Sequence, residues 1–290
     1  MVLGSFFFKQ EARRALRGNW QPALVVTFFS GVFLTLSSVL QALWVPDPVV
    51  YASYGLLDRF WQELTAVSQA EWAGLIVVNL LSLLFSPALM LGCNRYFLNL
   101  LVGRDSGVRE GLLGRMGIWP KALWLYVQMG VRIFLWSLLL VVPGILAAIR
   151  YSMAPYFMAQ DPSVSASEAI EKSKHAMKEM KLAYFSLIIS FIGWSLLANV
   201  AQMLLMSFGV VIALVAAQFM QVAISAYMNA ACASFFLTVA SEDGMNRARR
   251  QMRDRLRQMG MDDSDINRAG FGEKSADEDD MPGGGEGDGT

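Results

Sequence analysis

Residues 122–160 read ALWLYVQMGVRIFLWSLLLVVPGILAAIRYSMAPYFMAQ, and how this stretch folds decides the topology of the whole chain. Its first part, Ala122 to Val142, is apolar over the length needed to cross about 30 Å of hydrocarbon at about 1.5 Å per residue. The pair Pro143-Gly144 follows, and it can turn the chain because proline breaks a helix and glycine permits unusual backbone angles. Residues 145–160 are shorter, about 24 Å as a helix. The alternative is one long helix kinked at Pro143.

Charge favours the turn. Loops rich in Lys and Arg stay cytoplasmic, and four segments qualify: the N-terminus, Arg95 to Lys121, Lys172 to Lys181, and Arg247 to Arg257. The segment Val45 to Trp72 carries Asp47, Asp58, Glu63 and Glu71 against Arg59 and belongs outside. If the chain leaves the basic loop ending at Lys121, it must return before Lys172, and only residues 145–160 can bring it back. The expectation is an all-α, polytopic transmembrane bundle of six spans, 22–44, 73–93, 122–142, 145–160, 182–206 and 210–240, with both termini cytoplasmic. Tilt or local thinning would absorb the short fourth span.

Composition agrees. Hydrophobic residues make up 55% and charged residues 17%, with a mean hydropathy of +0.41, on the apolar side of an ordinary soluble chain. The net charge of zero hides an arginine-rich segment followed by an acidic end. Cys93 and Cys232 lie in or beside apolar runs and read as packing residues, with no disulfide framework and no metal site. Phe6 to Phe8 is too short for the core of a secretory signal, so the first span reads as an uncleaved signal anchor.

Amphipathic stretches border the spans. Ser165 and Glu168 form a capping-box pattern. The helix it opens places Ala166, Ala169, Ile170, Ser173, Ala176, Met177 and Met180 on one face and Lys172, Lys174 and Lys178 away from it. Such a helix rests on the inner leaflet, where basic residues meet anionic headgroups. His175 reads as a surface residue. Residues 241–260 form a second basic amphipathic helix, with Arg249, Arg250 and Arg253 among its cations. It lacks the aromatics that stack on bases, which argues against nucleic acid. Residues 261–290 read as a disordered acidic, Gly-rich tail. On the outer side Leu56, Leu57, Phe60, Trp61, Leu64 and Val67 let a helix lie on the other leaflet.

Three of these stretches precede an outward span. Lys9 to Arg17 leads into GNWQPAL at Gly18, Arg109 to Met116 into GIWPKAL at Gly117, and Ser165 to Lys181 into Leu182. The first two junctions share a GxW, a proline and Ala-Leu, a short match compatible with a helix-plus-hairpin repeat or with chance.

Four segments together resemble a known family. They are KQEARRALRGNWQPALVV from Lys9, FSPALMLGCNRYFLNL from Phe85, FLWSLLLVVPGILAAIRYSMAPYFMAQDPSVSASEAIEKSKHAMK from Phe134, and SFIGWSLL from Ser190. The chain from Lys9 to about Phe208 resembles bacterial multi-pass membrane proteins designated domain of unknown function 975. It is distantly similar to the membrane domain of some glycerophosphodiester phosphodiesterases. The resemblance implies a bacterial cytoplasmic membrane and a six-helix core, with no established activity, cofactor or catalytic residues to carry over. Arg132 and the arginine-rich helix depart from it.

Function must rest on polar groups within the spans, because charge in hydrocarbon is costly. Arg132 and Arg150 fall at similar depth if the hairpin forms, and no Asp or Glu within the spans can pair with them. They must use carbonyls, water, the amides Asn79, Gln128, Asn199, Gln202, Gln218, Gln221 or Asn229, or an external anion, which a guanidinium grips well. The candidate anion or lipid site is therefore Arg132, Arg150, Gln128 and Asn199, with Lys172, Lys174, Lys178, Arg249, Arg250 and Arg253 as membrane-surface cations. The alternative is a structural role, Arg150 satisfying carbonyls freed by Pro143 and Pro155 while Arg132 snorkels. No HExxH, GxSxG, GxxxxGK or paired-carboxylate pattern appears, which argues against an enzyme. Two function classes remain: a non-catalytic scaffold or regulator engaging anionic lipid and membrane-protein partners, or a carrier or channel for an anionic or lipidic solute past Arg132 and Arg150.

Overall fold

The computed structural model describes residues 5–46, 48–104, 107–178, 180–240, 253–254, 256–257 and 259–268. Helix is the only regular structure among them. The elements are α1 (Ser5–Leu16), α2 (Trp20–Ser30), α3 (Val32–Trp44), α4 (Pro48–Ser53), α5 (Leu57–Ala66), α6 (Gln69–Val102), α7 (Val108–Leu113), α8 (Trp119–Leu139), α9 (Val141–Tyr151), α10 (Ala154–Gln160), α11 (Ala166–Ala176), α12 (Lys181–Leu205), α13 (Val210–Val239) and α14 (Asp263–Arg268). By length and composition five segments can cross a membrane: α6, α7–α8, α9–α10, α12 and the bulk of α13. The bent pair α2–α3 makes a sixth.

Each departure from the expected spans has a local cause. The first span bends by 59° at Gly31, where Ser30 Oγ donates back to the Thr27 carbonyl (2.8 Å) and competes with the helical ladder. The turn after α8 falls at Leu140, whose extended backbone (φ −166, ψ 153) ends one helix and begins the next. Pro143 sits in the first turn of α9, where an absent N–H costs no helical bond. Gly144 lies against Ser137, and a Cβ there would overlap the Ser137 side chain. The return segment is not one helix, since it breaks at Ser152–Met153 between α9 and α10. Lys121 Nζ donates to the Pro162 carbonyl (3.4 Å), so both feet of this hairpin lie together.

The helices fall into three units of one kind. In each, a short amphipathic helix (α1, α7, α11) leads into an outgoing apolar helix (α2–α3, α8, α12) and a returning one (α6, α9–α10, α13). The GxW junctions mark the outgoing starts, since α2 begins at Trp20 and α8 at Trp119. The returning helices repeat a pattern invisible at the junctions: Cys93-Asn-Arg-Tyr96-Phe97, Met153-Ala-Pro-Tyr156-Phe157 and Cys232-Ala-Ser-Phe235-Phe236. These aromatic pairs meet in the core, with Tyr156 stacked on Phe236 (5.5 Å) and Phe157 edge-on to it (4.8 Å).

Each short helix packs on the hairpin before its own: α7 on α2 and α6, α11 on α8 to α10, and α1 around the ring onto α12 and α13. Small residues allow the approach. Gly92 on α6 meets the Gly111 carbonyl of α7, and Gly111 itself faces Tyr96. Ser173 of α11 and Ala12 of α1 are fully buried on the corresponding faces. Gly92→Ala should force the α6–α7 contact apart and cost about 1–3 kcal/mol, read as a lowered Tm in detergent, while Gly107→Ala, which meets nothing, should leave it unchanged.

Candidate anion site

The site is built from α11 outward. Ser165 caps the helix by accepting from the Glu168 N–H (3.2 Å). Glu168 pairs with Lys172 (2.9 Å) and Glu171 with Lys174 (2.9 Å), so two of the cations assigned to the leaflet already have carboxylate neighbours. Lys178 is exposed. On the opposite face Ser173 Oγ donates to the Arg150 carbonyl (2.7 Å) and accepts from the Met153 N–H (3.2 Å). That hydroxyl repairs the α9–α10 break, where both backbone groups lose helical partners.

α11 runs beside α8. Ser167 Oγ donates to Gln128 (3.4 Å), and Trp136 shares a groove with Lys174. Glu171 itself is paired with Lys174, and Arg132 forms no ion pair among the described residues. Its Nη1 is buried without a hydrogen-bond partner among the described residues.

Arg150 lines a cavity of about 310 Å³ with Lys174, Lys181, Trp136, Pro143, Leu146, Ala147 and Tyr151. Of the two arginines placed at similar depth, Arg150 lines this groove and Arg132 is not among its lining residues. Arg150 and Lys181 have no carboxylate partner among the described residues. Cations over apolar walls make a receptacle for a phosphate carrying a hydrocarbon body.

The other proposed residues stand apart. Asn199 donates to the carbonyl of Ser195 on its own helix (2.7 Å). Asn79, Gln218 and Asn229 are held by Leu75, Thr35 and Cys93. Arg249 and Arg250, with most of the helix placed at 241–260, lie outside the described residues. So do residues 269–290 of the tail, whereas its first part, expected to be disordered, carries the short helix α14 (Asp263–Arg268). Arg253 is half-buried, and neighbouring Arg257 forms a two-toothed ion pair with Asp263 (2.8 and 3.0 Å). Lys181 and Trp136 were missed by sequence reasoning. Nothing local marks them, because the groove exists only once α11 turns the chain back along the hairpin.

The groove and most of the α8–α9 hairpin fall within one matched segment. Residues 125–243 match the family model described as protein of unknown function (DUF975). The DUF975 segment thus holds the whole groove, its cations included. No curated protein and no solved structure matches the chain.

Two outcomes test this construction. Ser173→Ala leaves the Met153 N–H buried and unpaired and should cost about 1–3 kcal/mol in thermal unfolding. Lys172 holds the Glu168 carboxyl below its ordinary value of 4.5, and Lys174 does the same for Glu171. Their support for α11 is complete above that value and is lost as pH falls through the lower folded-state value. Amide exchange across α11, corrected for intrinsic rates, should therefore quicken on acidification below the ordinary carboxylate pKa.

Proposed function

We propose that the protein is a non-catalytic integral membrane protein of the bacterial cytoplasmic membrane that engages the phosphate of anionic lipid headgroups through Arg150, Lys174 and Lys181. The observation that carries this reading is the groove itself: three cations, one of them partnered by Glu171, facing a wall of Trp136, Pro143, Leu146 and Ala147. A headgroup phosphate would meet the cations while its acyl chains lie along the apolar flank. The excess of Lys and Arg around Arg95 to Lys121 and Lys172 to Lys181 supports placing this end of the bundle, and both termini, on the cytoplasmic side. A scaffold or regulator that senses lipid charge, or presents it to a membrane partner, is the role such a groove serves.

The buried, unpaired Nη1 of Arg132 favours a second reading, a carrier for an anionic or lipidic solute. Against it, the polar groups of the apolar helices are closed off in separate pairs such as Gln218–Thr35 and Asn79–Ser37, which do not join into a path.

Native mass spectrometry from mixed phosphatidylglycerol and phosphatidylcholine tests the reading. The wild type should retain phosphatidylglycerol selectively. Arg150→Gln with Lys181→Gln should weaken that retention roughly thirtyfold, at about 1 kcal/mol per cation near the surface, and Arg150→Lys should largely preserve it. Unchanged selectivity in a folded double variant sinks the lipid reading. Anion or lipid flux in proteoliposomes that vanishes in Arg132→Leu would establish the carrier instead.

A further inference from the structure

The three hairpins are not equal in reach. Measured from the start of each returning helix to its aromatic pair, Gln69 to Tyr96 spans about 42 Å and Val210 to Phe235 about 39 Å at about 1.5 Å per residue. Val141 to Tyr156 spans only about 24 Å, and it is broken at Ser152–Met153. From Met153 onward the chain enters the packed centre, where Met153, Ala154, Met158 and Ala159 are fully buried. What projects is α9, 11 residues or about 16 Å. That matches one leaflet and half of a hydrocarbon layer of about 30 Å.

The outgoing leg is long enough to cross, but α11 flanks it. From Gln128 to Trp136, α8 is accompanied by α11, with Ser167 at one end and Lys174 at the other. The Glu171 side chain is 62% exposed and its partner Lys174 41%. Exposed ionised groups in hydrocarbon cost several kcal/mol each, so this length of α8 must lie where α11 meets water or headgroups. Beyond Trp136 the surface changes abruptly. Leu138, Leu139, Leu140, Val141 and Val142 are each 65–73% exposed, an uninterrupted apolar tip that water would not tolerate. Lys181, the first residue of α12, lines the groove at the root of this tip, so the hairpin sits at the end of α12 that carries the lysine.

We infer that the α8–α9 hairpin is a re-entrant wedge: its Leu138–Val142 tip is buried in the hydrocarbon of the leaflet on the Lys181 side and does not reach the opposite surface. The occupant of this face is lipid acyl chain, with the adjoining cations of Arg150, Lys174 and Lys181 at headgroup level. Four crossings then remain, α2–α3, α6, α12 and α13. An even number keeps both ends of the membrane domain on one side. Arg132 no longer needs a place in hydrocarbon, since it lies on the length of α8, between Gln128 and Trp136, that α11 flanks. The inference stands on lengths, exposure and the course of α11, independently of whether the groove selects a headgroup.

Cysteine accessibility decides it. The native cysteines are buried, so single replacements can be introduced at Tyr54, Leu140 and Asp161 and probed with a membrane-impermeant maleimide in sealed, right-side-out vesicles. Tyr54→Cys should react from outside, and Asp161→Cys only after the vesicles are opened. Leu140→Cys should react in neither condition, and a nitroxide attached there should be reached by oxygen and shielded from aqueous nickel. Labelling of Leu140→Cys from outside establishes a crossing hairpin and overturns the wedge. Labelling only after opening overturns it too, because the tip would then lie in water. Leu139→Cys, equally exposed, serves if Leu140→Cys does not fold.

Discussion

The ring of helices closes because backbones approach at places where side chains are nearly absent. Where α7 crosses α6, Gly92 and Gly111 leave no room for a Cβ against the opposing chain. Where α11 crosses the second hairpin, a buried serine takes the corresponding place and adds hydrogen bonds to both sides of the α9–α10 break. Apolar attraction between helices is weak inside a bilayer, so close van der Waals contact and satisfied backbone groups must supply the specificity. Everything above this base, including the loosely packed outer halves of α3, α6 and α12, can present apolar side chains outward only because the base fixes their direction.

The same contacts explain why one hairpin differs from its siblings. In the first and third units the long helices run on well past the amphipathic helix packed on the hairpin, α7 and α1, each of which carries a single acid, Glu110 and Glu11. In the second, α11 extends along α8 with two exposed acid–base pairs, and the hairpin is shortened to match. A charged helix held against an apolar one sets the depth of both, because neither can move relative to water without the other. Chain length and charge placement thus agree, although they are independent properties of the sequence.

Much of this was legible beforehand, and the reasons are specific. Long apolar runs gave the helices and their order, the capping serine at Ser165 marked the start of α11, and the shared GxW junctions hinted at a repeat that the returning helices bear out. The repeat itself stayed hidden because its strongest trace, the paired aromatics at Tyr96, Tyr156 and Phe235, lies inside runs that are hydrophobic throughout. The turn was expected at Pro143-Gly144, the strongest local breaker, whereas the chain reverses at Leu140, a residue with no turn signal. Tertiary packing selects that position: Gly144 must face Ser137 for the legs to close, and proline is harmless one turn into the new helix.

The arginines show where one-dimensional reasoning ends. Counting residues from Pro143 put Arg132 and Arg150 at similar depth, and with no carboxylate in the spans their partners were left as carbonyls, water, amides or an external anion. Depth along a hairpin does not say which way a side chain turns, and the search for a carboxylate stopped at the span boundaries. Lys174, which lines the groove with Arg150, lies beyond that boundary and is paired with Glu171, because α11 folds back along the leg it follows. That return path leaves Arg150 and Lys181 without a carboxylate among the described residues and sets them against Trp136 and Pro143. The cationic groove is therefore a product of the chain's reversal after Gln160, and it could not have been read from the spacing of its own residues.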